Sequence, residues 1–86
     1  MRSVTLTSGE ISVLMKQDPS RKNRGGWQLL IVTLQEKLDA ATGAIFLDRK
    51  DLERIPRYAF DYKNGGWESY LKAVFGRTLG PKLGRP

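Results

Sequence analysis

The tripeptide Gly-Gly-Trp occurs twice, in "KNRGGWQLLIVTL" at Gly25-Gly26-Trp27 and in "YKNGGWESYLKAVF" at Gly65-Gly66-Trp67. Basic residues and an asparagine precede each copy, and an amphipathic run follows it. Glycine makes up about 7% of average composition, so a chance second copy in so short a chain is roughly a one-in-a-hundred event. The agreement extends upstream. Aligning "VTLTSGEISVL" with "IFLDRKDLERI" at an offset of forty-one puts Val4 on Ile45, Leu6 on Leu47, Thr7 on Asp48, Glu10 on Asp51 and Leu14 on Ile55. The second copy is one residue shorter before its tripeptide, and the offset then becomes forty, with Ile31 on Leu71 and Leu34 on Val74. Self-similarity of this kind decides the architecture before any local pattern does.

Each copy reads as strand, helix, helix. Val4-Thr5-Leu6 and Ile45-Phe46-Leu47 alternate as short strands do. Thr7 with Glu10 spells a capping box, in which each side chain serves a backbone N–H that the first helical turn leaves unbonded. Asp48 with Asp51 offers a similar arrangement. The first helices are expected to bury Ile11, Leu14 and Met15 in one copy, and Leu52 and Ile55 in the other. Asp18 before Pro19 ends the first, and Pro56 predicts a kink or break in the second.

After each Gly-Gly, where glycine permits a sharp turn, a new helix begins. Leu30, Ile31, Leu34 and Leu38 form one apolar stripe, closed near Gly43; Tyr70, Leu71, Val74 and Phe75 form the other, closed at Gly76. Trp27 and Trp67 are expected to wedge into the core. One copy cannot cover its own apolar face, so two must cover each other.

The expected fold is therefore α+β and mostly helical: a tandem strand–helix–helix repeat with pseudo-two-fold symmetry, about four helices and a short two-stranded sheet. Residues 1–80 form a single domain of two repeats, 1–42 and 43–80, and 81–86 a flexible basic tail. Strands this short leave edges that could pair between chains in a homodimer.

Composition narrows function. With no cysteine, disulfides and thiol chemistry are excluded, and with no histidine the commonest general base and zinc ligand are missing. Neither a G-x-S-x-G nucleophile motif nor a P-loop is present. The densest acidic cluster, Asp48, Asp51 and Glu53, reads as cap and first-turn acids favoured by the helix dipole, with Arg49, Lys50 and Arg54 interleaved as neutralisers. No metal, no cofactor and no catalytic residue is expected. No apolar run approaches the roughly 20 residues of a membrane span, and "MRSVTLTSGE" lacks the apolar stretch of a secretory leader. A cytoplasmic protein is the expectation.

The net charge of +6 is unevenly distributed. Lys16 to Arg24 carries a net +3, and Ser69 to Pro86 carries four cations and no acid. Glycine-rich turns that open helices present unbonded N–H groups at the positive end of a dipole, which suits phosphate. The candidate nucleic-acid-binding residues are Arg21, Lys22, Asn23, Arg24, Gly25 and Gly26 at the first turn, Lys63, Asn64, Gly65 and Gly66 at the second, and Arg77, Lys82 and Arg85 in the C-terminal segment. Exposed faces lack the Arg, Asn and Gln cluster of base-edge readout, so backbone contact is expected. Tyr58, Phe60 and Tyr62 could stack single-stranded bases, although core packing of at least two is the simpler reading. The alternative function is a small adaptor or inhibitor that docks on an acidic or nucleic-acid-associated protein surface.

Overall fold

In a computed structural model of the chain, residues 2–17, 26–61 and 67–85 are described, with the side chains of residues 26–28 excepted. Two strands, β1 (Arg2–Thr5) and β2 (Ala44–Leu47), pair antiparallel, with Val4 opposite Ile45 and Ser3 opposite Phe46. The Leu6 N–H adds one more bond, to the Gly43 carbonyl at 2.9 Å. Alternate residues of a strand face opposite sides. Val4, Leu6, Ile45 and Leu47 therefore turn inward and are buried, while Phe46 faces out and is half exposed. Gly43 has φ +79°, and a Cβ there would stand 2.5 Å from the Leu6 carbonyl oxygen, so only glycine lets the two strands meet.

Helix α1 (Ser8–Leu14) starts on the expected capping box: the Glu10 N–H donates to the Thr7 hydroxyl at 3.2 Å, and the Thr7 N–H to the Glu10 carboxylate at 2.8 Å. It lasts two turns. Met15, expected in the core, is its C-terminal cap and lies half exposed, because the helix stops before the apolar stripe reaches it. Helix α3 (Arg49–Pro56) begins on the equivalent box, with the Asp51 N–H donating to Asp48 at 2.9 Å and the Asp48 N–H to Asp51 at 3.1 Å.

Pro56 does not break the chain's winding. The backbone passes directly into one π-helical turn, Arg57–Asp61. A proline has no N–H to offer the carbonyl four residues back and its ring crowds that carbonyl, and the winding changes from α to π immediately after it.

Helix α2 (Gly26–Lys37) buries Leu30, Ile31 and Leu34 completely, and α4 (Trp67–Leu79) does the same with Leu71, Val74 and Phe75. Each such side chain contributes about 1.5–3 kcal/mol through the water it leaves. Helix α4 runs past the expected stop at Gly76 and ends at Gly80, where φ is +95°. A single interior glycine costs about 1 kcal/mol relative to alanine, too little to end a helix whose next turn buries Leu79.

The segment beyond α4, expected to be a flexible tail, is laid against the domain. Leu83 adopts φ +53° and is fully buried in the same cluster as Ile55, Phe75 and Leu79. Among the described residues there is one core, built from both halves of the chain, under a two-stranded antiparallel sheet. The fold is α+β and mostly helical.

Candidate nucleic-acid interface

Both Gly-Gly-Trp segments lead straight into a helix: α2 begins at Gly26 and α4 at Trp67. Of the sequence-predicted contacts, Arg21, Lys22, Asn23, Arg24 and Gly25, and Lys63, Asn64, Gly65 and Gly66, lie outside the described residues, as do the Trp27 side chain and Tyr62. Trp67 is half-buried against the core. The first turn of α2 carries no acid, whereas α4 has Glu68 there, paired with Lys72 one turn on at 2.8 Å.

Two of the three predicted C-terminal cations are held by carboxylates. The Arg77 guanidinium reaches both oxygens of Glu10, Nη2 to Oε1 at 3.0 Å and Nε to Oε2 at 3.2 Å, and also donates to the Thr5 carbonyl. The Arg77 bond, helped by the Thr7 N–H, holds the Glu10 carboxyl below its ordinary range against the opposing effect of burial. Arg85 grips Asp61 with two parallel bonds of 2.9 Å, and this hydrogen bonding lowers Asp61 as well. The third, Lys82, is exposed and has no ion pair among the described residues.

The acidic cluster has an unexpected partner. Lys37, the last residue of α2, bonds Asp48 at 3.2 Å and closes tightly on Asp51, whose carboxylate is almost wholly buried. Burial alone would depress the Lys37 ammonium; the bonds to Asp51 and Asp48 outweigh it and raise the group. Asp48 is lowered, chiefly by the Asp51 N–H and then by Lys37. Glu53 pairs with Arg57. Arg49, Lys50 and Arg54, expected to neutralise these acids, do not bond them.

A signal for Lys37 was present in the sequence. Under the offset of forty it falls on Arg77, while Glu10 falls on Asp51 under forty-one. Each helix that follows a Gly-Gly-Trp therefore sends a cation from its last turn to the capping-box acid on the first helix of the other half.

Phe60 and Tyr58 are half-buried against the core. The Lys72 ammonium and the Arg85 guanidinium lie 5.6 and 5.8 Å from the Phe60 ring centre, within reach of cation–π attraction. Among the described acids, only Glu36 and Asp39 stand outside the ion pairs. The net positive charge therefore resides on Arg2, Lys16, Arg49, Lys50, Arg54 and Lys82 together with the cations of the two turn segments. Among the described residues no helix is long and apolar enough to cross a membrane. No protein-family model matches the chain, and comparison with curated proteins and with solved structures returns no match.

Proposed function

We propose that the chain is a non-enzymatic, cytoplasmic nucleic-acid-binding module, contacting the phosphate backbone through its two basic Gly-Gly-Trp segments. The observation that carries this reading is that each segment opens a helix, α2 at Gly26 and α4 at Trp67. Helix starts favour anions through unbonded N–H groups and the dipole. Lys22 and Arg24 flank one start in sequence and Lys63 the other. The reading further takes the chain as a duplicated half-unit with pseudo-two-fold symmetry, so that the two anchors are a matched pair. Two observations support the symmetry: Val4 faces Ile45, the residue that the forty-one offset makes its equivalent, and the crossed pairs Arg77–Glu10 and Lys37–Asp51 sit at corresponding positions.

The test is binding of labelled duplex DNA across a salt series. With about four phosphate contacts, affinity falls by about two orders of magnitude between 50 and 200 mM salt. The double substitution Lys22→Glu with Arg24→Glu abolishes binding while leaving the circular dichroism spectrum unchanged. Unaltered binding by that variant, or no binding by the parent at low salt, overturns the reading.

A second reading, a small protein-docking adaptor or inhibitor, is favoured by the half-exposed Phe46, Met15 and Leu29. It predicts capture of a protein that resists nuclease treatment, with little dependence on salt.

A further inference from the structure

We infer that the exposed arc of α3 and its C-terminal cap, carrying Arg49, Lys50, Arg54 and Arg57, is a contact surface for nucleic-acid phosphates. The inference rests on the nucleic-acid reading above and adds to it a surface distinct from the Gly-Gly-Trp segments. At 3.6 residues per turn, the buried Asp51 and Ile55 define the inner side of α3. Going round the opposite side, Arg49, Glu53, Arg57, Lys50 and Arg54 follow one another, all exposed except Arg54, which is intermediate. That arc holds four cations and one acid, Glu53, which Arg57 engages.

Two observations separate these charges from ordinary surface cations. The buried acid they could have served, Asp51, is neutralised from elsewhere by Lys37, so Arg49, Lys50 and Arg54 have no ion pair among the described residues. Arg49 and Lys50 are also the first two residues of α3, at the positive end of its dipole, where a cation weakens the helix. The matching helix α1 begins with Ser8 and Gly9 and has Val13 where α3 has Arg54. The fold thus closes the same capping box without cations in one half and with misplaced cations in the other. Helix stability gives no reason for Arg49 and Lys50, whereas Arg54, in the last turn of α3, sits where the dipole favours a cation.

The chemistry of the arc selects a polyphosphate over a protein surface. It contains no apolar side chain, whereas a stable protein interface has an apolar core. Three of its four cations are guanidinium groups, whose paired N–H donors match phosphate oxygens.

The triple substitution Arg49→Gln, Lys50→Gln, Arg54→Gln tests this against a short mixed-sequence duplex DNA. The expected result is an affinity lower by about 10- to 100-fold near 100 mM salt, and a log–log salt slope shallower by about 2–3, close to 0.9 per lost contact. The melting temperature stays within a few degrees of the parent's (about 1–4 °C), since Arg49 and Lys50 leave the wrong end of the dipole and Arg54 the favourable one. Should the triple variant fail to fold, the pair Arg49→Ala and Lys50→Ala gives the same comparison with a slope change of about 1–2.

Binding and slope equal to the parent's overturn the α3 surface while leaving the Gly-Gly-Trp reading intact. A parent that binds no DNA overturns both. If polyglutamate binds the parent as tightly as DNA and loses as much in the variant, the surface recognises acidic polypeptides and the assignment to phosphate fails.

Discussion

Arg77 closes on Glu10 through two nitrogens, at 3.0 and 3.2 Å, and thereby ties the end of α4 to the first turn of α1. Glu10 is also the acid of the α1 capping box, so one carboxylate serves both a helix start and a contact across the molecule. Its proton affinity makes this visible in solution. In the unfolded chain the carboxyl titrates near 4.5, and in the folded protein at lower pH. Between those values the folded state binds fewer protons, so its stability falls as pH falls through that window and is fully present above it. Glu10→Gln is expected to flatten the decline of melting temperature between about pH 5 and 3. Asp48 and Asp61 are lowered as well and keep part of the slope. A variant whose acid profile matches the parent's would show that Arg77 does not hold Glu10 ionised.

Gly43→Ala is expected to destabilise the fold by about 1–3 kcal/mol, from left-handed strain and from contact with the Leu6 carbonyl. Gly80→Ala shares a positive φ but meets open space, so its effect is the smaller of the two. Urea midpoints measured on both variants rank them. Equal losses would mean that the Gly43 approach to β1 contributes nothing.

Leu83→Ala is expected to cost about 2–4 kcal/mol, the range for emptying a buried leucine site. Lys82→Ala next to it, on an exposed side chain, leaves stability within about 0.5 kcal/mol. If the two substitutions are indistinguishable by chemical denaturation, the C-terminal segment is not part of the core.

Much of the architecture was legible because it is written in short-range chemistry. Thr7 with Glu10 and Asp48 with Asp51 announce helix starts through groups three residues apart, and both boxes are present. Apolar periodicity located Leu30, Ile31 and Leu34, and likewise Leu71, Val74 and Phe75. Misreadings arose where tertiary packing overrode a local signal. Gly76 looked like a stop, but the gain from burying Leu79 exceeds the helix penalty of one glycine. The basic tail looked free because nothing local says that Leu83 has a hole to fill. Lys37 was missed because its acids are neighbours in space and not in sequence, and Arg49, Lys50 and Arg54 stood closer along the chain. For the candidate site, the helix starts after each Gly-Gly were legible. That Arg77 and Arg85 are occupied by Glu10 and Asp61 was not, since those pairs join residues far apart in the chain.

The carbonyl oxygen of Leu14 accepts from Gln35 of α2 at 3.0 Å and from Tyr70 of α4 at 2.7 Å, and Gln35 also reaches the Gln17 carbonyl at 3.0 Å. Both lone pairs at the end of α1 are thereby moored, one to each of the long helices. The last turn of α1 therefore cannot leave the core without giving up a bond to each of them.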